Sequence, residues 1–116
     1  LEHGAVAAQV GTRFLLAVEA GTKKTHKQAL QTLRGRPTVI TTAFTGKPAR
    51  AIRNAFTDRF QPLAPSLYPE LHYLTSGLRG TADKAGDREY LNLWAGENYE
   101  LTRPGPAAAI VAELTP

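Results

Sequence analysis

Apolar and polar residues fall into distinct blocks along this chain. Ala5-Val6-Ala7-Ala8-Gln9-Val10 is an apolar run of small and β-branched residues without strict alternation, the pattern of a parallel strand buried on both faces. Gly11-Thr12 ends it. From Thr12 to about Ala20 the pattern predicts a short helix, closed by Gly21 in a left-handed cap. A second helix is predicted from about Lys23 to Arg34, with Thr22 as N-cap and His26, Leu30 and Leu33 on one face. Gly35 and Pro37 stop it. Thr38 to Phe44 is rich in β-branched residues and reads as extended. Thr45-Gly46-Lys47-Pro48 predicts a turn, with Pro48 in the first turn of a helix that runs to Phe60. On that helix Ile52, Phe56 and Phe60 form an apolar stripe, and Lys47, Arg50 and Arg53 lie on another side. Pro62, Pro65 and Pro69 make residues 61–69 a stiff, extended connector. A helix from Glu70 to Ala85 follows, interrupted near Gly77 and Gly80. The apolar stretch Tyr90 to Gly96 leads into Glu97-Asn98, and a final helix covers Pro106 to Leu114. The chain has no internal repeat.

One strand, one extended piece and several helices do not close a sheet. A two-faced parallel strand needs neighbours on both edges. The reading therefore places further strands before Leu1. The absence of methionine and the start at Leu1 point the same way, to the last part of a longer protein. With 42% apolar and 21% charged residues, the composition is that of a globular protein and argues against whole-chain disorder. The chain lacks cysteine, which removes disulfides, thiolate metal sites and cysteine nucleophiles and suggests a cytoplasmic protein. No apolar run approaches the roughly 20 residues of a membrane span. The formal charge of +4 belongs to a segment, and acidic residues elsewhere in a longer protein could cancel it.

Candidate chemistry starts at Gly11-Thr12. A glycine turn that opens a helix can cradle phosphate, because backbone N–H groups converge there and a threonine hydroxyl adds one donor. An ordinary strand-to-helix turn has the same residues. Gln9, just before it, either lines a cofactor or is a buried amide satisfied by backbone; Arg13 either pairs with the phosphate or makes a surface salt bridge. His26, on an apolar helix face, reads as a packed residue with one hydrogen-bonded nitrogen. His3 and His72 have no partner at metal-ligand spacing, and no zinc motif is present. Nor is there a serine–histidine–acid arrangement at a nucleophile elbow. Lys47, Arg50 and Arg53 could bind an anion or nucleic acid, or form a solvated face. No aromatic residue interleaves with them as in single-strand binders, so no nucleic-acid partner is expected.

Gln9-Val10-Gly11-Thr12-Arg13-Phe14-Leu15, the segment Glu19 to Leu30, Thr41-Thr42-Ala43-Phe44-Thr45-Gly46-Lys47-Pro48-Ala49-Arg50 with Arg53-Asn54 and Phe56, and Leu93-Trp94-Ala95-Gly96 together resemble the C-terminal part of the nitronate monooxygenase family. The resemblance implies an α/β fold: the last strand and helix of a TIM (β/α)8 barrel in residues 1–35, and a mostly helical C-terminal extension in residues 36–116. It implies FMN as cofactor and an alkyl nitronate and O2 as substrates. Gln9, Gly11 and Thr12 would be cofactor-binding. Trp94, Ala95, Gly96 and Glu97 would shape the flavin and substrate pocket, although Trp94 could equally anchor the tail. The family's flavin-proximal histidine and its Gly-Gly phosphate loop lie upstream, so no catalytic residue is expected in this segment. Two positions depart from the family pattern: Glu97 stands where glutamine is usual, and Asn92 where serine is common. Flavin-dependent enoyl-acyl-carrier-protein reductases resemble Arg50 to Asn54 and share the barrel, and a nicotinamide:quinone oxidoreductase is a further alternative. A basic helical binding module is the reading from another class.

Overall fold

A computed structural model of the chain describes residues 3–115. Its first helix of any length is α1 (Lys24–Thr32). Thr25, His26, Ala29 and Leu30 are buried on one side of it, as the spacing predicts. Lys23, not Thr22, occupies the N-cap and offers no side-chain cap bond. Gly35 turns the chain at φ +79°, and β1 (Thr38–Thr41) follows, antiparallel to β2 (Ala49–Ile52) with Thr38 opposite Ile52.

This pairing corrects the helix expected from Pro48 to Phe60. Hydrogen bonding to the β-branched strand Thr38–Thr41 draws Ala49–Ile52 into a hairpin, and helix α2 is confined to Ala55–Phe60. Asn54 sets its start. The Asn54 Oδ1 accepts the Thr57 N–H at 3.1 Å, and the Thr57 hydroxyl accepts the Asn54 N–H at 3.0 Å, a reciprocal cap. The expected apolar stripe is thus divided: Ile52 packs with Leu30 and Leu93, while Phe56 packs with Phe44 and Phe60. The expected basic stripe is dismantled as well. Lys47 covers the Tyr68 ring at 4.2 Å, Arg50 pairs with Glu97 and Arg53 pairs with Asp58.

Helix α3 (Glu70–Ala85) is continuous through Gly77 and Gly80. Two interior glycines cost about 1 kcal/mol each relative to alanine. Burial of Thr75 and Ala82 and a left-handed cap at Gly86 (φ +68°) hold the helix regardless. The Thr75 hydroxyl donates to the Phe44 carbonyl at 2.6 Å, tying α3 to the hairpin turn. Helix α4 (Ala107–Leu114) matches the predicted final helix and buries Ile110.

The segment before α1 differs most from expectation. Residues 5–10 form no strand; they are exposed, Val6 completely. An extended run is held by ladder hydrogen bonds, and the described residues offer none at either edge. The expected helix from Thr12 to Ala20 is a single 3-10 turn, Thr12–Leu16, and Gly21 is not left-handed. After this turn Ala17 bridges Gly105 and the Val18 N–H donates to the Gly105 carbonyl, so the C-terminal tail takes the space a longer helix would need. The described residues together form a small α/β unit around a core of Leu16, Leu30, Ile52, Leu91, Leu93 and Tyr99. None of its helices is long and apolar enough to cross a membrane.

Candidate functional site

The segment Leu93 to Gly96 runs along the outer edge of β2. The Ile52 N–H donates to the Leu93 carbonyl at 2.9 Å, and the Ala95 N–H donates to the Arg50 carbonyl at 3.2 Å. Successive backbone groups of an extended chain point in opposite directions. The Trp94 carbonyl and the Gly96 N–H therefore face away from β2, towards α1 and the Thr12 turn.

Both find side-chain partners. His26 Nε2 lies 3.0 Å from the Trp94 carbonyl oxygen. A carbonyl only accepts, so Nε2 carries the proton. Burial lowers the pKa of this ring and keeps it neutral, against a smaller opposing effect of the Trp94 carbonyl. The Gly96 N–H donates to Thr12 Oγ1 at 2.9 Å. A Cβ on Gly96 would meet that oxygen at 3.4 Å, in van der Waals contact, so the two residues adjoin closely.

The structure thus brings Thr12, Gly96 and the neighbouring Trp94 and Ala95 to one place, although Thr12 and Gly96 are 84 residues apart. Gly11 adjoins them and is exposed; Gln9 lies on the exposed segment before it. Glu97 turns outward, where its carboxylate meets Arg50 at 2.9 Å, and Arg50 also donates to Thr38 Oγ1. Arg13 is engaged elsewhere. Its guanidinium donates to the Arg103 carbonyl at 2.7 Å and to Glu113 at 2.8 Å, clamping the tail, which is the salt-bridge alternative. Glu19 accepts the Ala107 N–H at the start of α4, and that bond holds its carboxyl below the usual range.

Trp94 stands between this site and a separate apolar region. Its ring meets Phe44 edge-on at 5.6 Å, and Phe44 stacks on Phe56 at 4.3 Å. Beyond Phe56 lies an open apolar cleft of about 280 Å³, walled by Phe60, Leu71, Leu74 and Leu78. Asn54, at the start of the helix that carries Phe56, ties that helix to residues 88–91. Its Nδ2 donates to the carbonyls of Arg88 and Leu91 at 3.0 and 2.8 Å. The sequence reading did not single out Asn54 as a brace, although Asn54-x-x-Thr57 ahead of an apolar position was a visible capping signal. Among the described residues no group of three or more His, Cys, Asp and Glu side chains could hold a metal ion.

A family model described as nitronate monooxygenase matches residues 1–116 of the chain. The chain belongs to the nitronate monooxygenase family. A protein of Staphylococcus saprophyticus named "Probable nitronate monooxygenase" is 34% identical over 113 residues, which cover 96% of this chain and 32% of that protein. One of the same name from Staphylococcus haemolyticus is 35% identical over 100 residues, 84% of this chain and 28% of that protein. Among solved structures, a nitroalkane oxidase from Streptomyces ansochromogenes is 45% identical, with a TM-score of 0.87 over 91% of this chain and 30% of its own. The chain spans about a third of the length of these relatives.

Proposed function

We propose that this chain is the C-terminal part of an FMN-dependent barrel enzyme that oxidises alkyl nitronates with O2 to a carbonyl compound and nitrite. The observation that carries the reading is the meeting of Thr12 with Gly96. FMN, when bound, supplies the electron transfer, and the protein's part is position and electrostatics. The residues present fit a phosphate of that cofactor. One Thr12 lone pair is occupied by the Gly96 N–H, so the hydroxyl proton is the part left to donate to an anion. Gly11 and Gly96 carry no side chain to keep an anion from the backbone.

In this reading residues 1–35 close the barrel, and residues 5–10 become its last strand once neighbouring strands lie beside them. Gln9 lines the cofactor, Trp94, Ala95 and Gly96 form a wall of the substrate pocket, and Glu97, held by Arg50, sets a negative charge at its rim. Residues 36–116 pack over the flavin side. The resemblance places the proton-abstracting histidine upstream of this segment, so the segment by itself is expected to turn over no nitronate.

The test is a visible spectrum of the protein extended upstream to its natural start, with anaerobic additions of propionate-3-nitronate and then NADPH. A yellow protein bleached by the nitronate supports the proposal. Bleaching by NADPH alone moves the assignment to the reductase alternatives, and a colourless protein defeats it.

A further inference from the structure

The edge formed by the Trp94 carbonyl and the Gly96 N–H lies where a further strand could continue the sheet. Two side chains take that place instead. His26 supplies the donor and Thr12 supplies the acceptor, from elements on either side of Ala17. Lys27, next to His26, donates from Nζ to the Ala17 carbonyl at 3.0 Å, so α1 also grips the turn that carries Thr12. The two peptide groups between the Trp94 carbonyl and the Gly96 nitrogen are planar, which leaves few degrees of freedom between the two bonds. A shift of the carbonyl is passed to the N–H.

We propose that His26 is a positioning residue: by holding the Trp94 carbonyl it fixes the Gly96 N–H against Thr12 Oγ1, and so directs the Thr12 hydroxyl proton outward. Within the proposed FMN reading, on which the functional half of this inference rests, that proton is presented to the cofactor phosphate. The imidazole touches neither cofactor nor substrate. Its effect passes through one strand edge and one hydroxyl.

A merely structural histidine would weaken every ligand and the fold together; a positioning one acts on phosphate alone. The experiment uses the full-length protein and its variants His26→Leu and His26→Gln. Gln Nε2 can reach the place of the imidazole Nε2 and keep donating. Two quantities are measured: the Kd for FMN beside that for riboflavin, which lacks the phosphate, and hydrogen exchange of the Gly96 amide without flavin. Loss of one such bond predicts about a five- to tenfold weaker FMN Kd in H26L, with riboflavin unchanged. Gly96 exchange should rise by a similar factor, and H26Q should restore both. Equal weakening of FMN and riboflavin would overturn the functional half, and unchanged Gly96 exchange in H26L would overturn the whole. If the unmodified protein binds neither flavin, the FMN reading fails, and the exchange arm alone then decides whether His26 positions Gly96. Should H26L not fold, H26Q against H26N, whose shorter amide stops short of the Trp94 carbonyl, supplies the comparison: Gly96 exchange near the unmodified rate in the first and fast in the second is expected. Equal rates in the two would overturn the positioning.

Discussion

Gly46 turns at φ +87° directly against the backbone of Leu67: a Cβ there would lie 2.5 Å from the Leu67 carbonyl oxygen. The hairpin turn between β1 and β2 and the proline-rich connector are thereby packed backbone to backbone. Gly46→Ala meets both the left-handed strain and an overlap that flexible atoms cannot relieve. A loss of roughly 2–4 kcal/mol is expected in urea unfolding. A loss under about 1 kcal/mol would show that the connector moves aside.

Asn54 separates two roles that one substitution would merge. Asn54→Asp keeps the acceptor for the Thr57 N–H but replaces the amide that donates to Arg88 and Leu91. Asn54→Ala removes both. Ala should cost about 2–3 kcal/mol. Asp should cost no less, because its buried charge faces two carbonyl oxygens. If Asp proved nearly neutral by denaturant titration, the cap and not the brace would be the main contribution.

His26 gives stability a direction with pH. Its folded pKa lies below the ordinary 6.5, with burial as the main cause. The unfolded chain therefore binds more protons in that window, and stability rises with pH through it. The contribution of the neutral ring is complete above about pH 6.5 and falls away as pH drops towards the lowered folded value. Thermal melts between pH 5 and 8 should show this decline (about those limits, where histidine titrates), and H26Q should flatten it. A decline of the same size in H26Q would place its origin in another group.

Tyr99 closes the core from the tail side, its hydroxyl directed at the carbonyls of Leu33 and Arg36. Burial raises its pKa, with Glu100 adding to the effect. Tyr99→Phe keeps the ring and leaves those carbonyls without their donor, for an expected loss of about 1–2 kcal/mol. The change should appear in the denaturation midpoint without a change in slope. A neutral result would mean that water replaces the hydroxyl.

Glu97→Gln removes the carboxylate charge and breaks the ion pair with Arg50. The carboxylate is largely exposed, 68% of its side chain, so stability should move by less than about 1 kcal/mol. Salt titration of the melting temperature distinguishes the outcomes. A larger loss that persists at high salt would show that Arg50 needs Glu97 to stay on Thr38.

Local patterns determined several elements of this chain by themselves. The face of α1 with His26 and Leu30, the extent of α4, the extended Thr38–Thr41 and the resemblance carried by the Thr41–Arg50 block all follow from residues close in sequence. Side-chain spacing and turn chemistry act within a few positions, so they are legible there. The hairpin was not: Ile52, Phe56 and Phe60 keep helical spacing, and only the partner strand Thr38–Thr41 decides that Ile52 is a strand residue. Residues 5–10 show the converse, an apolar run that remains unpaired because the described residues provide no neighbour. The candidate site belongs to the tertiary structure for the same reason. Thr12, His26 and Gly96 are ordinary residues in their local settings, and it is the outward edge of Leu93–Gly96 that makes one an acceptor for the other's N–H and the third a donor. Hydrogen bonds between distant segments depend on where the fold places them, and sequence spacing holds no record of that placement.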